Sequence, residues 1–249
     1  MSDIRDFQTQ TSNPAVGRTD AAIDQGLRSY MLKVYNLMAL GVALTGLVAY
    51  AFAEAAFTST GAPTAFGMAI YGSPLRWVIL LAPLALVFFL SFRIDKMSAF
   101  AAQMTFWVYA GLVGASLSSV FIVYTDASIV KTFAVTAASF GALSLYGYTT
   151  KRDLSAMGSF MVMGLFGLII AVIVNIFLKS SALDFAISAI GVLVFAGLTA
   201  WDTQKIKEIY FEGDGFEVMS KKAIMGALAL YMDFINLFLF LLRFMGDRE

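Results

Sequence analysis

The sequence predicts an all-α polytopic membrane protein whose chain crosses the bilayer seven times. Three observations carry that reading. Of 249 residues, 59% are hydrophobic and only 14% are charged, and mean hydropathy is +0.79, whereas a soluble domain has roughly a quarter of its residues charged. Seven stretches come close to the roughly 20 apolar residues that cross about 30 Å of hydrocarbon. The connections are brief apart from Glu54–Arg76 and the charged stretch Lys205–Lys222, which leaves no room for a soluble domain.

Met1 to Arg28 is polar, contains Asn13-Pro14 and Gly17, and lacks the apolar centre of a cleavable signal. Residues 1–29 are therefore expected to form a flexible cytoplasmic tail, and residues 30–249 one transmembrane domain. The spans are expected at Val34–Ala53, Trp77–Phe92, Ala99–Tyr124, Thr132–Thr150, Ser155–Leu178, Phe185–Trp201 and Ala223–Leu242. The second and sixth are short and should extend past the charges that bound them. Gly111, Ala115 and Ser118 in the third span, and Gly164, Gly167 and Ala171 in the fifth, read as seams where helix backbones approach closely.

Orientation follows from the basic residues. Seven spans put Arg5, Arg18, Arg28, Lys33, Arg93 and Lys96 on one side, together with Lys151, Arg152, Lys205, Lys207, Lys221 and Lys222. The other side holds Arg76, Lys131, Lys179, Arg243 and Arg248. The N-terminus is thus expected in the cytoplasm and the C-terminus outside it. A six-span alternative, with the last segment re-entrant, would return the C-terminus to the cytoplasm.

The chain has no cysteine and no histidine. Thiol nucleophiles, thiolate metal sites, Ser-His-Asp hydrolases and histidine pH switches are excluded together. Zero net charge gives no sign of a nucleic-acid partner. Chemistry inside the membrane must use carboxylates, Lys, Arg or Tyr.

Asp233 stands in the apolar run LYMDFINLFLFLLRF, about 16 Å along the last helix from Lys222 at 1.5 Å per residue. A carboxylate at that depth costs about 2.5–3.5 kcal/mol even on the lenient insertion scale, which makes function the default reading. Gly226, Ala229 or Leu230, Asp233, and Asn236 or Leu237 share one helical face, which must turn into the bundle. Asp202, in GLTAWDTQKIKEIY, would be an ordinary interfacial acid taken alone. If its helix continues through Glu212 and Gly213-Asp214-Gly215 makes a glycine turn, the last helix starts near Ser220. Asp202 and Asp233 then lie within about one or two turns of level. In contact they would share a proton and titrate as a unit, protonated as a latch and deprotonated as a cation site. Such hard oxygen ligands suit H⁺ or Ca²⁺. Asn36, Gln103 and Asn175 read as interhelical hydrogen-bond partners, and Arg93 as a topology anchor or an ion-pair partner of Asp202.

The segments LYMDFINLFLFLLRFMG, WDTQKIK, SLYGYTTKRDLSAMGSF and GLRSYMLKVYNLMALG closely resemble the Bax inhibitor-1 (transmembrane BAX inhibitor motif) family, in its bacterial YccA/YbhL-like branch. The resemblance covers about Tyr30 to the C-terminus. It implies six helices around a central seventh, and Ca²⁺ leak gated by pH through an aspartate pair that falls here on Asp202 and Asp233. Some members carry an acid inside the second helix and an arginine at its end that engages the aspartates. Here WVILLAPLALVFFLSF has no acid, and only Arg93 is left for the arginine's part. Bacterial relatives also bind a membrane AAA protease.

The expected function is a non-enzymatic, pH-sensitive cation (Ca²⁺) leak in the bacterial inner membrane, with no cofactor beyond the ion. Asp202 and Asp233 would form the site, with Arg93 and Asn236 in support. The alternative is a membrane-embedded regulator of a protease. An intramembrane aspartyl protease fits poorly, because Leu230-Tyr231-Met232 precedes Asp233 where that class needs Gly-x-Gly.

Overall fold

The computed structural model describes residues 14–58 and 62–247. It contains α1 (Pro14–Ala56), α2 (Ala65–Tyr71), α3 (Leu75–Arg93), α4 (Ala99–Leu117), α5 (Val120–Val123), α6 (Asp126–Thr149), α7 (Ser155–Leu178), α8 (Ser181–Glu208) and α9 (Phe216–Met245). Seven segments are long and apolar enough to span: α1 from Gln25, α3, α4 with α5, and α6 to α9. α9 is one continuous helix of 30 residues, which leaves no re-entrant break of the kind a six-span chain requires.

Several expected boundaries move outward, for a common reason. Helices continue through charged residues where caps lie further out, and the second and sixth spans extend past their bounding charges as expected. α6 begins at Asp126, not Thr132, because Thr125 caps it by accepting from the Ser128 N–H at 3.3 Å. α8 begins at Ser181 because Ser180 accepts from the Leu183 N–H at 3.3 Å. At the other end α8 stops at Glu208, short of Glu212, and α9 starts at Phe216, before Ser220. Neither Gly213 nor Gly215 adopts a left-handed backbone. The expected tail also divides: Met1 to Asn13 fall outside the described residues, and Pro14 to Arg28 already belong to α1. The short helix α2, absent from the expectation, is capped by Thr64 Oγ1, which accepts from the Gly67 N–H at 3.1 Å.

α9 is the most buried span, and α3 and α7 are the most exposed. α9 packs against α8, α1, α6 and α4, while α3 leans on α4 and α7 on α8. The expectation of a central last helix thus takes the form of four helices on α9 and two outer ones. Lipid gives no hydrophobic drive between helices, so small residues and interhelical hydrogen bonds must hold them. A Cβ on Gly114 would stand 2.6 Å from the Thr45 carbonyl oxygen of α1, and one on Gly147 2.1 Å from the Ala200 oxygen of α8. By contrast Gly111 and Gly167, two of the expected seam glycines, face open space. The other expected seam positions do pack: Ala115 and Ser118 are buried, and a Cβ on Gly164 would stand 3.1 Å from the Val194 side chain of α8.

Candidate functional site: an aspartate pair between the last two helices

α8 and α9 run antiparallel as a hairpin. Their register can be read from two close approaches: Gly226 lies against Ile206, and Gly191 against the Phe240 ring. This pairing puts Asp202 about one turn from level with Asp233. The two side chains meet, each carboxyl within hydrogen-bonding reach of the other. Asp233 is 5% exposed, and Asp202 is half-buried nearer the helix end. Asp233 Oδ2 is buried and receives no hydrogen bond from a conventional donor among the described residues. Two ionised carboxylates have no donor to offer each other, so a hydrogen bond between them requires that one of the two carry a proton.

The expected inward face of α9 is largely as drawn. Gly226, Leu230, Asp233 and Leu237 are buried, while Ala229 and Asn236 lie half-buried at its margins. Asn236 does not join the pair. Its Nδ2 donates to the Met232 carbonyl at 2.8 Å, and its side chain lines a cavity of about 360 Å³ with Tyr109 and Tyr231 between α3, α4 and α9. Arg93 is exposed at the end of α3 and forms no ion pair among the described residues. The cation whose charge reaches Asp202 is Lys205, which lies 5.0 Å from the centre of the Trp201 ring. Asn175 Oδ1 accepts from the Ser180 N–H at 3.0 Å and so closes the α7–α8 turn, and Asn36 is exposed. No group of three or more acidic side chains gathers among the described residues, so the pair is the whole of the carboxylate site.

Sequence reasoning missed the residues that hold α8 in place beside Asp202. Gln204 Oε1 accepts from the Leu154 N–H at 2.8 Å, and its Nε2 donates to the Arg152 carbonyl at 2.8 Å. One amide thereby clamps the α6–α7 connection onto α8. Thr203 donates to Ser144 on α6 at 3.4 Å, and Lys207 donates to the Tyr148 carbonyl at 2.8 Å. A buried glutamine two residues after an intramembrane acid was the available signal. On the other side of the hairpin, Glu217 accepts from the Ala99 N–H at 2.6 Å and so caps α4 from α9.

Residues 27–249 match the family described as Inhibitor of apoptosis-promoting Bax1. The chain belongs to this family. An uncharacterized protein of Rickettsia prowazekii, RP147, is 52% identical over 228 residues, covering 91% of this chain and 92% of the relative. An uncharacterized protein of Caulobacter vibrioides is 47% identical, covering 93% of this chain and 94% of its own length. Inner membrane protein YbhL of Escherichia coli K12 is also 47% identical, with 93% of this chain and 98% of YbhL aligned. The match takes in both aspartates and every membrane-spanning segment from near its start.

Proposed function

We propose that this Bax inhibitor-1 family protein is a pH-sensitive cation leak, with Ca²⁺ the ion carried and the Asp202–Asp233 pair its gate. The observation that carries this reading is the contact between the two carboxyl groups at a buried junction of two helices. With one proton between them, the pair holds α8 to α9. With none, two unit charges about 4 Å apart repel by about 4 kcal/mol at an effective dielectric of 20. That is enough to shift a two-state equilibrium by roughly a thousandfold. The same deprotonation creates a divalent-cation ligand set. Two carboxylates fall short of the six to eight oxygens of a tight Ca²⁺ site, and a weakly held ion suits passage better than storage.

The name of the E. coli relative supports placing the chain in a bacterial inner membrane. The distribution of basic residues supports a cytoplasmic N-terminus. The pair then sits toward the cytoplasmic half, where internal pH sets its protonation.

The test is Ca²⁺ entry into proteoliposomes loaded with a fluorescent indicator, across a range of pH. Asp202→Asn and Asp233→Asn each supply an amide that donates to the remaining carboxylate, so each should hold the latch closed and abolish the pH dependence. Flux in the double Asn variant that tracks wild type at every pH would sink the proposal.

A further inference from the structure

We propose that the groove between α1 and α6 is a binding site for one anionic glycerophospholipid, its acyl chain in the groove and its phosphate at Arg28. This inference is independent of ion passage. α1 and α6 both pack on α9 but leave a trench between them with two lobes of about 640 and 370 Å³, both floored by Phe234. Phe234 is itself braced edge-on by Phe140 and Phe133 of α6, at 5.4 and 5.6 Å. On α1 the trench runs from Arg28 to Tyr50, about 33 Å at 1.5 Å per residue. That matches the roughly 30 Å thickness of the hydrocarbon layer.

Small residues in a membrane helix ordinarily admit a neighbouring helix. Here Gly46 on α1 and Gly141 on α6 line the trench, and a Cβ on either would meet nothing within 4 Å. The space these glycines leave is held by no part of the described protein. Over most of its length the trench opens at bilayer depth, where hydrocarbon is the available occupant.

Charge selects which lipid. At the mouth stands Arg28, with Tyr35 and Tyr148 on either side. Lys207 donates to the Tyr148 carbonyl and lies 5.5 Å from the centre of its ring, which adds a second cation at the same end. Among the described residues, no Asp or Glu lines either lobe. A cationic rim over an apolar slot between helices is complementary to a phosphate headgroup with its chain inserted.

The full chain is placed in nanodiscs of equal phosphatidylcholine and phosphatidylglycerol and transferred to detergent, and retained lipid is counted by native mass spectrometry. Wild type should retain phosphatidylglycerol in preference. Gly141→Leu and Gly46→Leu fill the trench from opposite walls, and either should cut retention of both lipids severalfold. Arg28→Gln should keep a bound lipid but lose roughly fivefold of the headgroup preference. Gly111→Leu, at an equally open glycine outside the trench, should retain lipid as wild type does. Circular dichroism and thermal transitions identify any variant that misfolds, and the two leucine variants serve as substitutes for one another. Equal retention of the two lipids by wild type, or retention unmoved by a folded trench variant, overturns the proposal. So does a dimer that the trench leucines dissolve, which would make a second copy the occupant.

Discussion

Ser116 on α4 donates its hydroxyl to the Ile79 carbonyl of α3 at 2.6 Å. That carbonyl lacks its helical partner because residue 83, four positions on, is proline. The same hydroxyl lies 2.9 Å from its own helix at Leu112. α3 is otherwise among the most lipid-exposed spans, so this bond is a main polar tie to the bundle.

Ser116→Ala should therefore lower stability by about 1–2 kcal/mol, since it orphans a carbonyl where no water competes. Pro83→Ala restores the missing N–H, and in that background Ser116→Ala should cost markedly less. Steric-trapping or thermal unfolding of the four proteins in one detergent gives the coupling. Additive losses would show that the two residues act separately.

A second node joins three helices. Thr45 of α1 donates to the Ala110 carbonyl of α4 at 2.9 Å, which leaves its oxygen to accept from the Tyr231 hydroxyl of α9 at 2.6 Å. The directions predict an asymmetry. Tyr231→Phe removes one bond and strands nothing, a loss of about 1 kcal/mol. Thr45→Val leaves the buried tyrosine hydroxyl without an acceptor and should cost about 1–3 kcal/mol. Unfolding midpoints should rank Thr45→Val below Tyr231→Phe.

Two glycines should answer the same substitution in opposite ways. Gly147→Ala drives a methyl into the Ala200 backbone and should destabilise by about 1–3 kcal/mol. It also pushes α8 from α6 beside the Thr203–Ser144 contact, so flux and its pH response should change with it. Gly111→Ala meets open space and should stabilise by up to about 1 kcal/mol through helix propensity.

Asp153, in the α6–α7 connection, is held below the ordinary carboxylate value of about 3.9. The Ser155 side chain is the larger cause, and the Ser155 backbone N–H, which donates to Asp153 Oδ1 at 2.8 Å, is the second. A depressed native value means stability that is present above the usual carboxylate range and lost as pH falls through the native value. The difference in thermal midpoint between wild type and Asp153→Asn should accordingly be present at neutral pH and close in acid. A carboxyl carbon titration by NMR should show the Asp153 midpoint rising in Ser155→Ala.

Legibility in the sequence followed the physics of each feature. The seven spans were readable because hydrocarbon thickness imposes one length on every crossing. The pairing of Asp202 with Asp233 was readable because two acids at similar depth on consecutive helices have few other ways to meet, even though α8 stops short of Glu212 and α9 starts before Ser220. The tie from Ser116 to Ile79, the Gln204 clamp and the Thr45–Tyr231 node were not readable, since each depends on how neighbouring helices are rotated. The same rotation decides that Gly114 and Gly147 carry contacts while Gly111 and Gly167 do not. Arg93 shows the limit most plainly: its position at the end of α3 admitted an ion pair that its exposed side chain does not make among the described residues.

The α8–α9 hairpin is fastened at both extremities. Arg243 pairs with Asp184 at one end. At the other, Lys222 reaches the Ile209 carbonyl at 2.9 Å and Asp214 at 2.5 Å. Fastenings at both ends resist axial sliding of one helix along the other, so the easier separation is lateral, between the fastenings, where the aspartates lie. Repulsion between the carboxylates would therefore act as a lateral load on a braced pair, opening a slot that closes elastically once the load is removed.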